Sequence, residues 1–225
     1  RGGVTRMSGP DLYLDLDGTI LDVAPRYHHV HRATVRALGA ESQTSLDSFW
    51  EKKRLGWSNA RVLEHDGLVP RVDPTGYGER FLAAIESDEA QALDALLPGA
   101  RDALETLGRT HTLVVVTLRR EREPLLRSLA RLGVAALFGD VLSGSPLGAP
   151  GEATKAALVR ARGRMVTGRS WLVGDTEIDV RAGKALGLRT CAVTSGIRGE
   201  AALRAEAPDR LVPDLAAFAH EVGRH

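Results

Sequence analysis

The sequence predicts an α/β protein in which helices flank a parallel sheet and a small all-helical segment is inserted near the start. Three observations predict this architecture. From residue 98 onward, short apolar runs alternate with helical segments, as is typical of crossover units in a parallel sheet. Between residues 23 and 97 the periodicity is helical, without long strand-like runs. The 225 residues, 43% of them hydrophobic, suffice for one large domain with a small insert.

The first predicted element is a short buried strand, Leu12-Tyr13-Leu14, that runs into two carboxylates and a glycine. Helical patterning then occurs in the insert at residues 27–38, 46–55, 60–65 and 77–85. Pro98-Gly99 ends the insert. We therefore expect a core formed by residues 11–22 and 98–225, a helical insert at 23–97, and a flexible polar leader at 1–10.

The second part of the chain supplies the other strands and helices of the predicted sheet. Helices are expected at residues 100–107, 123–132, 152–162, 178–186 and 214–222, and strands at 112–117, 139–142, 171–174, 189–193 and 211–212. In open parallel sheets, ligands bind beyond the carboxyl ends of the strands. Residues that follow strands are therefore the first candidates for chemistry.

Composition excludes several classes of function. The net charge is +1, so the basic excess of a protein that binds nucleic acid through its phosphates is missing. No stretch approaches the roughly 18 apolar residues of a membrane span. The single cysteine, Cys191, cannot form an internal disulfide or a zinc site. We expect a cytoplasmic protein, a monomer or homodimer, with neither nucleic acid nor membrane as partner.

The first candidate motif is Asp15-Leu16-Asp17-Gly18-Thr19, at the end of the first strand. Side chains two apart on a strand point the same way, so Asp15 and Asp17 would be presented together. Two close carboxylates repel unless a cation or a shared proton relieves them, and Mg²⁺ prefers such oxygen ligands. Gly18 would let the backbone turn and approach a ligand. The ordinary alternative is a turn with an N-capping aspartate.

Three further signals lie at the same predicted edge of the sheet. Thr117 ends the second core strand, Lys155 lies early in the helix that precedes the fourth, and Asp175 and Asp179 follow that fourth strand at helical spacing. Each has an ordinary interpretation on its own: a turn threonine, a solvated helix lysine, and acidic residues in the first turn of a helix. Their order along one sheet edge favours a common site.

In combination these motifs resemble the haloacid dehalogenase superfamily of phosphohydrolases, from about Asp11 to the end of the chain. The resemblance implies a Rossmann-like core with a helical cap over the site, in the subgroup of phosphoglycolate phosphatases and β-phosphoglucomutases. It implies that Asp15 is a nucleophile that becomes an aspartyl-phosphate and that Asp17 is the general acid and base. It further implies that Thr117 and Lys155 bind the phosphoryl group. Mg²⁺ would be held by Asp15, the backbone carbonyl of Asp17, Asp175 and, in support, Asp179.

The sequence departs from the common family pattern at two positions. Leu118-Arg119 follows Thr117 where many relatives have a small or amide residue, so Arg119 either contacts substrate or faces solvent. Ala156 follows Lys155 where a proline is common. The basic run Lys52-Lys53-Arg54 is interpreted first as a solvated face and second as an attractant for an anionic substrate.

The expected function is hydrolysis of a small phosphorylated metabolite, of the phosphoglycolate or sugar-phosphate type, by a Mg²⁺-dependent phosphatase. A phosphosugar mutase shares every motif and remains an alternative. So does a non-catalytic binding module on the same scaffold, although the intact Asp15, Asp17 and Asp175 argue against it.

Overall fold

The computed structural model describes residues 9–144, 150–163 and 170–223. Of the predicted leader, residues 1–8 lie outside the described part. The described residues form eight strands: β1 (Asp11–Leu14), β2 (Leu21–Asp22), β3 (Ala95–Leu96), β4 (Thr112–Thr117), β5 (Asp140–Ser143), β6 (Trp171–Gly174), β7 (Arg189–Val193) and β8 (Arg210–Val212). Six of them make one parallel sheet in the order β5-β4-β1-β6-β7-β8.

Eleven α-helices accompany these strands in the described part of the chain. They are α1 (Ala24–Ala37), α2 (Leu46–Arg54), α3 (Asn59–His65), α4 (Pro74–Ala84), α5 (Asp88–Gln91), α6 (Ala100–Leu107), α7 (Arg122–Arg131), α8 (Gly151–Ala161), α9 (Glu177–Ala185), α10 (Glu200–Ala205) and α11 (Leu215–Val222). The first five form the insert, and the other six belong to the core and flank the sheet.

Strand β1 lies near the middle of the sheet, between β4 and β6. Helices cover both faces of the sheet, so the strand is apolar without alternation, and Leu12, Tyr13 and Leu14 are all fully buried. Leu12 and Leu14 pack into the larger core cluster, while Tyr13 packs into the cluster on the opposite face. The strand that carries the first motif is therefore fixed on both sides and directs Asp15 at the carboxyl edge.

The insert is joined to the core by a two-stranded antiparallel ribbon, in which β2 pairs with β3. Four of its five helices begin at side-chain caps: backbone N–H groups of α2, α3, α4 and α5 donate to Ser45, Ser58, Asp73 and Ser87. The insert has a hydrophobic core of its own. The ribbon thus marks where the chain leaves the sheet and returns to it.

A buried histidine lies within the insert. His31 of α1 is fully buried, and its ring nitrogens lie 2.8 Å from the Tyr77 hydroxyl and 3.0 Å from the Ser42 hydroxyl. Burial lowers the pKa of His31 to about 4. The imidazole is therefore a neutral part of the insert's core.

The predicted α/β class is confirmed, and most predicted elements lie within a few residues of the observed ones. The insert is not entirely helical, because β3 lies inside the range predicted to be all-helical. The short helices α5 and α10 were not predicted, since segments of four and six residues are too short for a clear period. Among the described residues, no helix has the length and apolar character that a membrane crossing requires.

Candidate active site

Asp15 lies directly after β1, at the carboxyl edge of the sheet. Its backbone N–H donates to the carbonyl of Val173 on β6 at 2.8 Å, so the ladder of the sheet continues through this residue. The residue is buried, with 6% of its surface exposed. Its carboxylate is thus held at a fixed point in the middle of the edge, where the rule for parallel sheets places a ligand.

Two more carboxylates converge on Asp15 from β6 and α9. One carboxylate oxygen from each of Asp15, Asp175 and Asp179 lies within 4.8 Å of the other two. All three residues are buried. Residues from distant parts of the chain thereby form one compact acidic cluster, hereafter the three-carboxylate cluster.

Lys155 of α8 is the cation that contacts this cluster. Its ammonium group donates to Asp15 Oδ1 and to Asp179 Oδ1, both at 2.5 Å. The side chain is 3% exposed, so the interpretation as a solvated helix lysine is wrong. Burial opposes the charged form, but the two carboxylates outweigh it and raise the pKa of Lys155. Lys155 therefore remains an ammonium that bridges Asp15 and Asp179.

The loop after β7 positions Asp175. The backbone N–H of Ile197 donates to Asp175 Oδ2 at 2.6 Å, whereas the buried Oδ1 has no hydrogen-bond partner among the described residues. Gly18, with a positive φ of 78°, and Gly196 both pack against this carboxylate, and a Cβ on either would overlap it. The two glycines leave room for Asp175, and a buried carboxylate oxygen without a hydrogen-bond partner is one that a cation could satisfy.

Asp179 is fixed by the start of its own helix. Its Oδ2 accepts hydrogen bonds from the backbone N–H of Thr176 at 3.1 Å and from the Thr176 hydroxyl at 2.7 Å, in a capping box. The other oxygen accepts from Lys155. The interpretation of Asp179 as an acidic residue in the first turn of a helix is therefore correct, but its second oxygen contacts Lys155 beside Asp15, so the residue also belongs to the three-carboxylate cluster.

Burial and neighbouring carboxylates raise the pKa values of two of these acids, as expected where a cation would bind. Burial raises the pKa of Asp15 to about 7, with Lys155 opposing and Asp179 adding to the effect. Burial, together with Asp15 and Asp179, raises the pKa of Asp175 well above its usual range. Both carboxyls are therefore hard to ionise without further positive charge nearby.

Asp17 points away from the three-carboxylate cluster, toward two arginines. Arg119 donates from Nε and Nη2 to Asp17 Oδ1 at 3.0 and 2.5 Å, and Arg26 of α1 donates to Asp17 Oδ2. Burial would raise the pKa of Asp17, but the charges of Arg119 and Arg26 outweigh burial and hold this pKa well below its usual range. Arg119 is 4% exposed, so the alternative that it faces solvent is excluded.

Asp94 and Gln91, from the end of the insert, hold the two arginines from behind. Arg119 Nη2 donates to Asp94 Oδ2 at 2.7 Å and its Nη1 donates to Gln91 Oε1 at 2.6 Å. Arg26 Nε lies 3.1 Å from Asp94 Oδ1. The Asp94 side chain is fully buried. We refer to Arg26 and Arg119, with Asp94 behind them, as the arginine pair.

A cavity of about 230 Å³ opens between the three-carboxylate cluster and the arginine pair. Its lining comes from both parts of the molecule. The core contributes Thr117, whose hydroxyl accepts from the Arg119 backbone N–H at 3.3 Å, and the insert contributes Tyr27 and Ile85. A cavity of this size lies below the roughly 300–1,000 Å³ of pockets for drug-sized ligands, so it suits a small one.

Arg54, at the end of α2, links the insert to the loop that holds Asp175. Its Nη1 donates to the carbonyls of Thr194 and Gly196, at 3.0 and 2.5 Å. The N–H of Gly199 donates back to the Arg54 carbonyl at 3.1 Å. The basic run at 52–54 is therefore not a solvated face, because Lys52 is also buried and pairs with Asp66.

The structure brings most of the predicted site residues to one edge. Asp15, Asp17, Thr117, Arg119, Lys155 and Asp175 all line the cavity, Gly18 packs against Asp175, and Asp179 contacts Lys155. The sequence interpretation missed Arg26 and Asp94, and it considered Arg54 only as part of a basic run, without its contact to the loop that holds Asp175. A signal existed for Arg26, since an arginine in the first turn of a helix opposes the helix dipole.

The donor set suits a divalent cation of the magnesium type. The site holds six carboxylates, Asp15, Asp17, Glu86, Asp94, Asp175 and Asp179, and four cationic side chains, Arg26, Arg119, Arg120 and Lys155, counted with all of them ionised. Two negative charges are left over, which one divalent ion would neutralise. Asp15, Asp175 and Asp179 each offer a carboxylate oxygen, the type that Mg²⁺ prefers, and one oxygen of Asp175 has no hydrogen-bond partner among the described residues.

The profile of the haloacid dehalogenase-like hydrolase family matches residues 12–187 of this sequence. The chain belongs to the haloacid dehalogenase-like hydrolases. The matched range contains both acidic motifs and the whole three-carboxylate cluster. The family resemblance inferred from the motifs is therefore confirmed.

Individual relatives of this hydrolase agree with the family. A phosphoglycolate phosphatase from Cereibacter sphaeroides is 29% identical over 218 residues, covering 94% of each chain. Phosphoglycolate phosphatase 1 from Pseudomonas aeruginosa is 30% identical, covering 89% of this chain and 75% of its own. A haloacid dehalogenase-like hydrolase from Streptococcus pneumoniae has the same fold, with a TM-score of 0.70 at 19% identity and coverage of 95% and 98%. The two phosphatases support phosphatase activity, and the solved structure shows the fold.

Proposed function

We propose that this hydrolase is a Mg²⁺-dependent phosphatase that acts on a small phosphorylated metabolite, of the phosphoglycolate or sugar-phosphate type, through an aspartyl-phosphate on Asp15. The observation that carries the proposal is the meeting of Asp15, Asp175, Asp179 and Lys155 at one end of a small cavity. The names of the two phosphatase relatives support the substrate type.

Asp15 is the group we assign to attack phosphorus. Lys155 holds its Oδ1, so the attacking oxygen is Oδ2. As the bond from Asp15 to phosphorus forms, the bond from phosphorus to the leaving alcohol breaks. Water then attacks the aspartyl-phosphate, the bond to Asp15 breaks, and inorganic phosphate leaves. Splitting the displacement into two steps is the usual advantage of a covalent nucleophile.

Asp17 is the group we assign to move the proton. While it is paired with Arg26 and Arg119, Asp17 is held in its ionised form, so it has to leave these guanidinium groups before it can take up a proton. Once protonated, it gives that proton to the leaving alcohol in the first step and takes one from the attacking water in the second. Thr117 and Lys155 would bind the oxygens of the phosphoryl group, since both line the cavity beside Asp15. A hydroxyl and an ammonium there donate toward the charge that moves during transfer.

Asp15, Asp175 and the backbone carbonyl of Asp17 would hold the metal ion, with Asp179 in support. When bound, Mg²⁺ supplies the positive charge that lets an anionic carboxylate approach an anionic phosphate ester. Asp175 has a partner for only one of its oxygens, which supports its assignment as a ligand.

We also propose that residues 23–97 act as a cap over the core formed by residues 11–22 and 98–225. Val23, Arg26, Tyr27, Leu82 and Ile85 of the insert line the same cavity as the carboxylates of the core. A cap that closes there would exclude water during transfer and would select the leaving group.

A screen of phosphorylated metabolites, with and without Mg²⁺, tests the proposal. We expect release of inorganic phosphate that requires the metal. Asp15→Asn should lower kcat by at least about 10³-fold, as expected when a nucleophile is removed. Asp102→Asn, which changes an exposed carboxylate on α6, is the matched control and should keep full activity.

Three results would contradict the proposal. Near-normal turnover by Asp15→Asn would remove Asp15 from the mechanism. Transfer of phosphate within a sugar phosphate, without release, would indicate the mutase alternative. Absence of any turnover across the screen would indicate a binding module.

A further inference from the structure

Burying the arginine pair costs free energy of folding, and stability alone does not explain why the pair is present. Arg26 is 1% exposed and Arg119 is 4% exposed, and both lie against buried or partly buried carboxylates. Removing ions from water costs several kcal/mol per ion, and buried ion pairs are often replaced by apolar residues without loss of stability. A cluster of this kind at a cavity therefore calls for a functional explanation.

The surroundings of the arginine pair fix both guanidinium groups in place. Asp94 contacts both, at 3.1 Å from Arg26 Nε and 2.7 Å from Arg119 Nη2. Gln91 and the carbonyl of Ile85 accept from the Nη1 atoms of Arg119 and Arg26, at 2.6 and 3.4 Å. Because one arginine comes from the insert and the other from the core, their meeting depends on the closed arrangement of the two parts.

The pair already holds a carboxylate on the side that faces the cavity. Asp17 accepts from Arg119 through one oxygen and from Arg26 through the other. The Asp17 side chain is 24% exposed, so a solute in the cavity can reach this point. Guanidinium groups bind the planar, two-oxygen carboxylate especially well. The geometry that holds Asp17 would therefore accept a carboxylate from a ligand.

The cavity has different chemistry at each end. Lys155 lies on the side of Asp15, where the proposed phosphoryl transfer occurs, and the arginine pair lies on the side of Asp17. Most of the remaining lining is apolar, from Val23, Leu82, Ile85, Leu118, Ile178 and Ile197. Tyr27, Thr176 and Glu86 complete it, and the Glu86 carboxylate is paired with Arg120. A small molecule with phosphate at one end and a second anion at the other matches this arrangement.

We propose that Arg26 and Arg119 form a subsite that binds a carboxylate on the leaving alcohol of the substrate, and that this carboxylate takes over guanidinium contacts now made by Asp17. This inference rests on the proposed phosphatase function and narrows its substrate to short phosphorylated hydroxy acids. Release of Asp17 from the arginines would leave it free to reach the oxygen of the leaving group. The same subsite would disfavour leaving alcohols without charge.

Three substrates of matched length test the subsite in the unmodified enzyme with Mg²⁺. Phosphoglycolate carries the carboxylate, 2-hydroxyethyl phosphate carries a neutral hydroxyl in its place, and ethane-1,2-diol bisphosphate carries a second phosphate. We expect kcat/KM for phosphoglycolate to exceed that for 2-hydroxyethyl phosphate by about 10- to 100-fold, the range for hydrogen bonds to a charged group. It should also exceed kcat/KM for the bisphosphate.

Variants then assign the preference to the two arginines. Arg26→Gln and Arg119→Gln should each lower the ratio between phosphoglycolate and 2-hydroxyethyl phosphate by about 10-fold or more, mainly through KM for phosphoglycolate. Arg204→Gln is the matched control, because Arg204 is exposed on α10, pairs with Glu200 and does not line the cavity. It should keep the ratio of the unmodified enzyme.

The outcomes separate the subsite from the function on which it rests. Equal kcat/KM for the carboxylate and neutral substrates would overturn the subsite and leave the phosphatase proposal intact. A preference for the bisphosphate would overturn the carboxylate assignment. An unchanged ratio in both arginine variants would assign the preference elsewhere and overturn the inference. No hydrolysis of any of the three would overturn the proposed function and the subsite with it. The first comparison uses the unmodified enzyme, so the inference can be refuted even if an arginine variant fails to fold.

Discussion

Replacing Asp175 by asparagine should raise the unfolding temperature of the metal-free protein and remove its response to Mg²⁺. Asp175 lies in the three-carboxylate cluster, and its Oδ1 is buried without a hydrogen-bond partner among the described residues. Asparagine keeps the shape and can still accept from the Ile197 N–H. It removes one negative charge, and its amide can donate to a neighbouring carboxylate.

The magnitude follows from the spacing of the charges. Two unit charges 4.8 Å apart repel by about 3.5 kcal/mol at an effective dielectric constant of about 20. Asp175 faces Asp15 and Asp179, while the nearby Lys155 offsets about one of these two repulsions. The remaining repulsion, about 3 kcal/mol, is an upper limit, since a proton can relieve it. One kcal/mol shifts the unfolding temperature of a chain of this size by about 2–4 °C. We therefore expect a rise of several degrees, with a ceiling near 10 °C.

The gain should depend on pH in a definite direction. The pKa of Asp175 is raised in the folded protein, so folding takes up a proton there and the original protein loses stability as pH rises. The neighbouring Asp15, whose pKa burial raises to about 7, loses its proton between pH 6 and pH 8 and adds to the repulsion. The advantage of Asp175→Asn in the metal-free state should therefore be larger at pH 8 than at pH 6. Mg²⁺ should reverse the order of stability. At 100 times its dissociation constant it stabilises the original protein by about 2.7 kcal/mol, a gain that the variant would lack.

Thermal unfolding followed by circular dichroism, at pH 6 and pH 8, checks these expectations. The samples contain either EDTA or Mg²⁺ at matched ionic strength. Asp102→Asn, on the exposed side of α6, is the control and should respond to Mg²⁺ as the original protein does. A metal-free Asp175→Asn protein less stable than the original, or one that keeps the full Mg²⁺ response, would refute the argument from charge repulsion.

Two further predictions follow from contacts in the insert. Arg54→Ala should weaken Mg²⁺ binding, because the loop that holds Asp175 loses two hydrogen bonds from a charged group, worth about 1.5–3 kcal/mol each at most. Calorimetry measures the affinity, and Arg61→Ala, at an exposed helix position, is the control that should bind Mg²⁺ as the original protein does. Equal affinities for the two variants would count against the link between Arg54 and the metal site. His31 should make the protein less stable as pH falls from about 6.5 toward about 4, by up to about 3 kcal/mol, because burial lowers its pKa and the unfolded chain binds the proton more readily. In urea unfolding, His31→Asn should lose this part of the pH dependence, and the control His29→Gln should retain it. An unaltered dependence of unfolding free energy on pH in His31→Asn would contradict the assignment.

The sequence was informative wherever local pattern and position carry the signal. The run Leu12-Tyr13-Leu14 predicts a buried strand because both faces of a parallel sheet are covered, and its end fixes where Asp15 lies. Asp175 and Asp179 were found because a strand, a turn and a helix start follow one another within a few residues. These features need no knowledge of distant contacts.

The arginine pair could not be predicted in the same way. Arg26, Asp94 and Arg119 are far apart in sequence, and each alone is an ordinary charged residue in a helix or loop. Only the packing of the insert against the core brings them to Asp17. Arg54 was hidden for a related reason, since a basic residue in the last turn of a helix is favoured by the helix dipole whatever it contacts.

The central claim is that the carboxylate of Asp15 becomes phosphorylated during turnover. Acid quenching of the enzyme as it turns over phosphoglycolate with Mg²⁺, followed by borohydride reduction, converts an aspartyl-phosphate into homoserine that peptide mass spectrometry can locate. The mechanism predicts homoserine at position 15 and none in Asp15→Asn. Modification at Asp17 or Asp175 instead, or an unmodified Asp15 in an enzyme caught during rapid turnover, would contradict it.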